Sequence, residues 1–139
     1  MGTQNIITPE TIKAIDLQLE TIYETGKSQN LGQRMVKVGL GPSQIRGLET
    51  LALSARRFSE IINYIKNQAG KDRKDQWSKI ADEVLDHLAQ LEKKAKEIGG
   101  EDPGVILDVK IRLARGWVKQ VVSHYLFQDS LKKDKKHAE

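Results

Sequence analysis

The sequence contains no cysteine among its 139 residues. This absence excludes disulfide bonds and thiolate chemistry. No apolar run approaches the roughly 18 residues that a membrane-spanning helix requires. The N-terminus lacks a basic flank followed by an apolar segment, so we expect no signal peptide and a cytoplasmic location.

Aromatic residues make up only 5% of the chain, whereas charged residues make up 30% and apolar residues 38%. The apolar residues are periodic rather than sparse, which is typical of a folded protein and not of a disordered one. At this length we expect a single domain that buries its own core. The net charge of +4 is compatible with nucleic-acid binding but does not require it, because binding depends on where the charge is concentrated.

Segments that alternate between apolar and polar residues are also missing, so the sequence predicts no β-strand. Apolar residues recur instead at helical spacing, between helix start and stop signals such as Thr8-Pro9, Gly26, Gly99-Gly100 and Asp102-Pro103. The predicted helices cover about residues 9–24, 28–40, 43–69, 77–98 and 103–128. We therefore predict an all-α, single-domain helical bundle of about four to five helices over residues 1–128, with a basic, disordered tail over residues 129–139.

The longest of these segments, residues 43–69, is predicted to be the central packing element of the bundle. Pro42 suits its first turn, and Gly70 together with the polar stretch after it is expected to end it. At 100° per residue, its polar side places the following residues along one stripe: Arg46, Thr50, Arg57 and Tyr64, with Arg56 at the margin. Cations with an aromatic ring at the end of the row suit an RNA backbone and an unstacked base, and the alternative is an ordinary solvated helix face.

The last predicted helix is apolar over well over half of its circumference, so it is either central in the bundle or covered by another molecule. Its remaining narrow strip consists of Asp108, Arg112, Arg115, Lys119 and Ser123. Arginine offers a planar fork of donors to phosphate oxygens, and two arginine stripes on two helices favour nucleic-acid binding. The alternative is that these arginines form salt bridges between helices, with Glu49, Glu60 and Asp108 as partners.

No set of side chains converges into a catalytic site. His87 and His124 lie on separate helices, and neither belongs to the acid–histidine pair, three residues apart, that a di-iron bundle uses. The sequence has no phosphate-binding glycine-rich loop and no serine nucleophile motif. We therefore predict that the protein is not an enzyme and uses no metal ion or other cofactor. Tyr64 and Tyr125 are either base-stacking rings or core residues.

Two short motifs resemble those of a known family. One is Pro42-Ser43-Gln44-Ile45-Arg46, which is followed by Leu48 and Leu51, and the other is Lys110, Leu113 and Ala114 in the last helix. On these residues the chain resembles the small-subunit family of type III CRISPR effector complexes, in particular the Csm type, with the Cmr type as the alternative. Members of this family are short, cysteine-poor and all-helical. The late Gly-Arg pair of the family is not reproduced, because this chain reads Arg115-Gly116-Trp117.

The resemblance implies a non-catalytic role in antiviral defence. Small subunits stack along a ribonucleoprotein filament, beside the backbone subunits that hold the guide RNA and cut the target. The implied partners are guide RNA, target RNA, other effector-complex subunits and further copies of the chain, which would associate through the apolar surface of the last helix. The candidate RNA contacts on this basis are Arg46, Arg57, Arg112, Arg115 and Lys119, together with Arg56 and Lys110.

A second hypothesis is a helical protein–protein adaptor or homo-oligomeric scaffold that does not bind RNA. Its arginines would be committed to ion pairs between helices. The two hypotheses therefore differ in whether the guanidinium groups face outward or are neutralised within the fold.

Overall fold

The computed structural model of the protein describes residues 7–71 and 76–138, which form helices and contain no β-strand. The six helices are α1 (Pro9–Thr25), α2 (Lys27–Lys37), α3 (Pro42–Ser54), α4 (Phe58–Lys71), α5 (Ala81–Gly99) and α6 (Pro103–Ala138). The predicted all-α bundle is confirmed, although it has six helices in the described residues rather than four or five. None of these helices combines the length and the apolar character that crossing a bilayer requires.

The predicted boundaries of α1 agree with the structure to within one residue. The hydroxyl oxygen of Thr8 accepts a hydrogen bond from the backbone N–H of Thr11 at 3.1 Å, and Pro9 occupies the first helical position. Gly26 ends the helix with a φ of 78°, a left-handed conformation that glycine adopts without strain. Because α2 begins at the next residue, Gly26 alone makes the turn between the two helices.

The single helix predicted over residues 43–69 is two helices, α3 and α4. Ala55 follows α3 in an extended conformation, with φ −63° and ψ 135°, and its side chain is buried. No proline or glycine lies at this break, so the local sequence contains no stop signal. A long-range contact holds the break instead, because the Arg115 guanidinium donates hydrogen bonds to the carbonyl oxygens of Ala52 and Ala55.

The end of this segment agrees with the prediction to within one residue, because α4 ends at Lys71, directly after Gly70. Another prediction about the segment is wrong. The predicted stripe from Arg46 to Tyr64 does not lie along one helix, because the break separates its members. The Tyr64 ring is half-buried and packs edge-on against Trp77, with ring centroids 6.3 Å apart. The exposed cations of the stripe are Arg46 on α3, and Arg56 and Arg57 on the turn that follows α3.

The central element of the bundle is α6 rather than the segment over residues 43–69. This helix packs against all five of the other helices. Its apolar positions are buried in the core and include Val109, Leu113, Trp117, Val121 and Tyr125. Most of the apolar surface that we expected to mediate self-association is therefore covered by helices of the same chain, although Leu107 remains exposed. The structure also continues α6 as a helix through residues 129–138, where we expected a disordered tail.

The contact between α2 and α6 brings the two backbones close together. A Cβ atom at Gly32 would lie 2.8 Å from both the Cβ of His124 and the backbone nitrogen of Tyr125, so a side chain does not fit there. One turn earlier on both helices, the Ser28 hydroxyl donates a hydrogen bond to the side-chain oxygen of Gln120 at 3.0 Å. The contact therefore advances by about one turn along both helices, from Ser28 to Gly32 on α2 and from Gln120 to His124 on α6. This shared direction indicates that α2 and α6 run parallel.

The helix α5 runs antiparallel to α6. His87 stacks on Trp117, while the later residue Glu92 accepts a hydrogen bond from the earlier residue Lys110. The helix begins at Ala81, four residues after the predicted start at Trp77, because the intervening residues form a turn. The side chain of Trp77 is nevertheless buried in the core, as its apolar character indicated.

Candidate nucleic-acid interface

The positive charge of the protein is segregated by helix. Residues 27–71 carry eight Lys and Arg against two acids, and α6 carries eight against three. In contrast, α1 carries one Lys against four acids, and α5 carries three Lys against five acids. The local net charges are therefore +6 and +5 on the first two segments and −3 and −2 on the other two. An overall charge of +4 understates the basic character of the surface formed by α2, α3, α4 and α6.

The motif Pro42-Ser43-Gln44-Ile45-Arg46 forms the first turn of α3, as predicted. Pro42 occupies the start of the helix, and the Gln44 side-chain oxygen accepts a hydrogen bond from the backbone N–H of Gly41 at 2.8 Å. Ile45 is completely buried. Packing and capping thus account for Pro42, Gln44 and Ile45, whereas the exposed side chain of Arg46 serves neither purpose.

Arg56 and Arg57 lie side by side on the turn between α3 and α4, and both side chains are exposed. The backbone N–H of Arg56 donates a hydrogen bond to the Glu60 carboxylate at 3.1 Å, but this contact does not involve the guanidinium. No carboxylate within residues 7–71 and 76–138 forms an ion pair with the guanidinium groups of Arg46, Arg56 or Arg57. These three cations are therefore available to a phosphate backbone.

The outward strip of α6 was predicted correctly in its position but not in the role of each cation. The strip lies between α1 and α3, because Gly116 and Gln120 on one side contact Leu19 of α1, while Arg115 on the other side contacts the end of α3. Arg112 and Lys119 are exposed. Arg112 forms an ion pair with Asp108 at 3.2 Å, and because both side chains are nearly half exposed, this pair contributes no more than about 1 kcal/mol.

Arg115 and Lys110 are committed to contacts within the fold. The Nε and Nη2 atoms of Arg115 donate to the carbonyl oxygens of Ala52 and Ala55 at 3.1 and 2.9 Å. The Nζ atom of Lys110 lies 2.8 Å from a carboxylate oxygen of Glu92, and this hydrogen bond lowers the pKa of Glu92. Lys110 is only 19% exposed, so neither it nor Arg115 presents a free cation to RNA. We expected both to contact RNA, and the fold uses them to hold helices together.

Tyr125 is a core residue and not a base-stacking ring. Its side chain is fully buried, and its hydroxyl donates a hydrogen bond of 2.6 Å to the carbonyl oxygen of Leu40. Burial, together with the nearby Asp129 carboxylate, raises the pKa of Tyr125 to about 12. The contact ties the segment between α2 and α3 to the central helix.

We expect the raised pKa of Tyr125 to make the protein less stable in alkali. The unfolded chain releases this proton near pH 10, whereas the folded protein retains it, so the contribution is complete below about pH 10 and is lost as the pH rises towards about 12. The loss amounts to about 2 kcal/mol. Urea unfolding of the protein and of Tyr125→Phe between about pH 8 and pH 12 measures it. The variant should be less stable at neutral pH but decline less in alkali, and parallel declines would contradict the assignment.

His87 of α5 and His124 of α6 each stack on an aromatic ring. His87 lies against Trp117 with ring centroids 5.4 Å apart, and burial lowers the pKa of His87. His124 lies against Tyr23, also at 5.4 Å. The described residues include no cluster of three or more histidine or acidic side chains arranged to hold a metal ion.

Two aromatic residues that were not predicted to form a site, Tyr23 and Phe127, have exposed side chains. Neither residue was considered as a site residue, because each lies within an apolar helical pattern. One signal in the sequence was that Phe127 directly follows Leu126, near the end of the apolar pattern of the last helix. Helical periodicity alone does not show which other helices lie beside Phe127. The structure brings both residues to one groove beside Lys119.

Comparisons of this chain with protein-family models, curated proteins and solved structures find no match. The features that indicate a function are therefore the exposed cations and the motif at the start of α3. Of the second motif, Leu113 and Ala114 are fully buried and Lys110 is paired with Glu92, so packing explains all three residues.

Proposed function

We propose that this protein is a non-catalytic, RNA-contacting subunit of a type III CRISPR ribonucleoprotein that acts in antiviral defence. The observation that carries the proposal is the group of exposed guanidinium groups at Arg46, Arg56 and Arg57, which no carboxylate of the described residues neutralises. Arg112 and Lys119 add exposed positive charge on the outward strip of α6. The resemblance at Pro42–Arg46 supplies the family, and Arg46 is its outward-facing cation.

The proposed mechanism is electrostatic positioning of RNA. Arginine side chains bind phosphate oxygens through paired N–H donors, and such contacts set the position of a strand without reading its sequence. In RNA-guided complexes the sequence is read by base pairing between guide and target. A basic surface that grips the backbone is therefore sufficient for a subunit that holds guide and target RNA in place.

We also propose that this subunit contacts other subunits of the complex and further copies of itself. The buried apolar face of α6 cannot provide these contacts, as described above. Large aliphatic side chains remain exposed elsewhere in the described residues, at Ile12, Leu17, Leu53, Leu107 and Leu131. Two of them lie on α1, whose acidic character would suit a basic neighbouring subunit.

The alternative function is a helical protein–protein adaptor that does not bind RNA. It is favoured by the cations that are already engaged within the fold: Arg34 pairs with Glu83 at 3.0 Å, Lys110 pairs with Glu92, and Arg115 binds backbone carbonyls. The adaptor hypothesis does not account for the exposed group at Arg46, Arg56 and Arg57.

Filter binding to single-stranded RNA over a salt series distinguishes the two functions. An RNA-contacting subunit should bind with an affinity that falls log-linearly as salt rises from about 50 to 200 mM, with a slope of about −0.7 for each phosphate contacted. Three to five exposed cations predict a slope between about −2 and −3.5. No detectable binding at the lowest salt concentration would favour the adaptor.

A further inference from the structure

The junction of α1, α2 and α6 forms a groove of about 550 Å³. This volume is within the range of sites that hold small organic molecules, roughly 300–1,000 Å³. The groove is lined by Tyr23, Gln29, Lys119, Gln120, Ser123, His124 and Phe127. No carboxylate is among these residues, although the adjoining helix α1 is acidic as a whole. Lys119 supplies the positive charge among the residues that line the groove.

Exposed aromatic rings distinguish this groove from the rest of the surface. Of the seven Phe, Trp and Tyr side chains, four are buried in the core and Tyr64 is half-buried. The remaining two, Tyr23 and Phe127, are 53% and 59% exposed, and both line this groove. Large apolar rings are normally removed from water, so two exposed rings at one site indicate a surface that a partner covers.

The Tyr23 ring is positioned before any partner binds. It stacks on the His124 imidazole with an angle of 27° between the ring planes. The same part of α6 is fixed to α2 by the close approach at Gly32. Stacking on an aromatic ring that is already held loses little side-chain entropy, which is why such rings serve as platforms for nucleobases.

One polar residue of the groove forms hydrogen bonds within the fold, and others are exposed to a ligand. The Gln120 amide donates to the carbonyl oxygen of Leu19 and accepts from the Ser28 hydroxyl, so it belongs to the fold. Gln29 and Ser123 are exposed and can face the hydrogen-bonding edge of a base. Lys119 supplies an ammonium group for the adjoining phosphate.

We propose that this groove binds an unstacked nucleobase of single-stranded RNA, with the base on the rings of Tyr23 and Phe127 and a phosphate at Lys119. The inference rests on the proposed function. It adds a base-binding site to a surface that otherwise binds RNA through phosphate contacts. Lys119 lies seven residues after Arg112 on the same strip, roughly 10 Å along the helix axis. A strand that follows the strip from Arg112 therefore reaches the groove.

The test compares two labelled strands of about 15 nucleotides by fluorescence anisotropy, an oligouridylate and an abasic strand with the same phosphates. A stacked base should make the protein bind the oligouridylate about 10-fold more tightly. Tyr23→Leu and Phe127→Leu should each reduce this preference while leaving the affinity for the abasic strand unchanged. Tyr23→Phe retains the ring and should retain the preference.

Leu17→Ala is the matched control, because Leu17 is 68% exposed on α1 but does not line the groove. It should retain the full preference, and circular dichroism should show unchanged helicity in all variants. Photocrosslinking with 5-iodouridine in the oligouridylate, followed by peptide mass spectrometry, should place the crosslink on Tyr23 or Phe127.

The outcomes separate this inference from the proposed function. Equal affinity for both strands, or a preference that survives both leucine variants, would overturn the base-binding groove and leave RNA binding through phosphates intact. Failure to bind either strand would overturn the proposed function and the groove with it. The exposed rings would then belong to a protein interface.

Discussion

Replacing Arg46 and Arg57 with glutamate is expected to lower the affinity for single-stranded RNA by about two orders of magnitude at low salt. Each phosphate contact on a single strand contributes about 0.7 to the slope of log affinity against log salt concentration. At about 50 mM salt, two lost contacts reduce the binding constant roughly 60-fold through counterion release alone. The reversed charges add repulsion, and the slope should become shallower by about 1.4. Filter binding over the salt series measures both quantities.

The matched control is the pair Lys13→Glu and Lys93→Glu. Both lysines are exposed, but they lie on the acidic helices α1 and α5. Each double variant changes the net charge from +4 to 0, so the two are matched in total charge and remove it from different helices. Circular dichroism should show unchanged helicity in both. Equal losses of RNA affinity would indicate that net charge alone governs binding, and would contradict a contact surface at Arg46 and Arg57.

Local signals in the sequence predicted the helix boundaries that capping residues set. Pro9, Gly26 and Pro103 mark boundaries that the structure reproduces, because each of these residues acts through its own backbone geometry. The hydrophobic period likewise identified the buried faces. Helix caps and hydrophobic periods depend only on residues within a few positions of each other, so they can be predicted from the sequence alone.

The arrangement of the helices depends on contacts between distant residues, and there the predictions failed. Nothing near Ala55 in the sequence indicates that a helix stops, because the break is held by Arg115, which lies 60 residues away. The same contact explains why the candidate site was only partly predicted. A helical projection places Arg115 on the outward strip of α6, but it does not show that the last carbonyls of α3 lie against that strip. Arg46 and Arg57 were predicted to be exposed, and within residues 7–71 and 76–138 no carboxylate pairs with either guanidinium group.

We expect Arg115→Met to destabilise the protein by about 3 kcal/mol while leaving its RNA salt slope unchanged. The substitution removes two hydrogen bonds from a charged donor, each worth about 1.5–3 kcal/mol, and leaves the carbonyl oxygens of Ala52 and Ala55 without these partners. Methionine retains much of the apolar stem, so the loss reports the guanidinium rather than the packing. Arg115→Lys should recover part of the stability, because one ammonium cannot match the planar fork that reaches both carbonyls. Urea unfolding followed by circular dichroism measures the difference.

Arg112→Met provides the contrast on the same helix. Arg112 has a half-exposed ion pair with Asp108, so its removal should change the free energy of unfolding by less than about 1 kcal/mol. It should instead weaken RNA binding, because Arg112 lies on the exposed strip. If Arg115→Met instead leaves the free energy of unfolding unchanged and makes the RNA salt slope shallower, Arg115 is an RNA contact and not a contact within the fold. The α3–α4 break would then need another cause. The two arginines are less than one turn apart, and their different partners predict opposite effects on stability and binding.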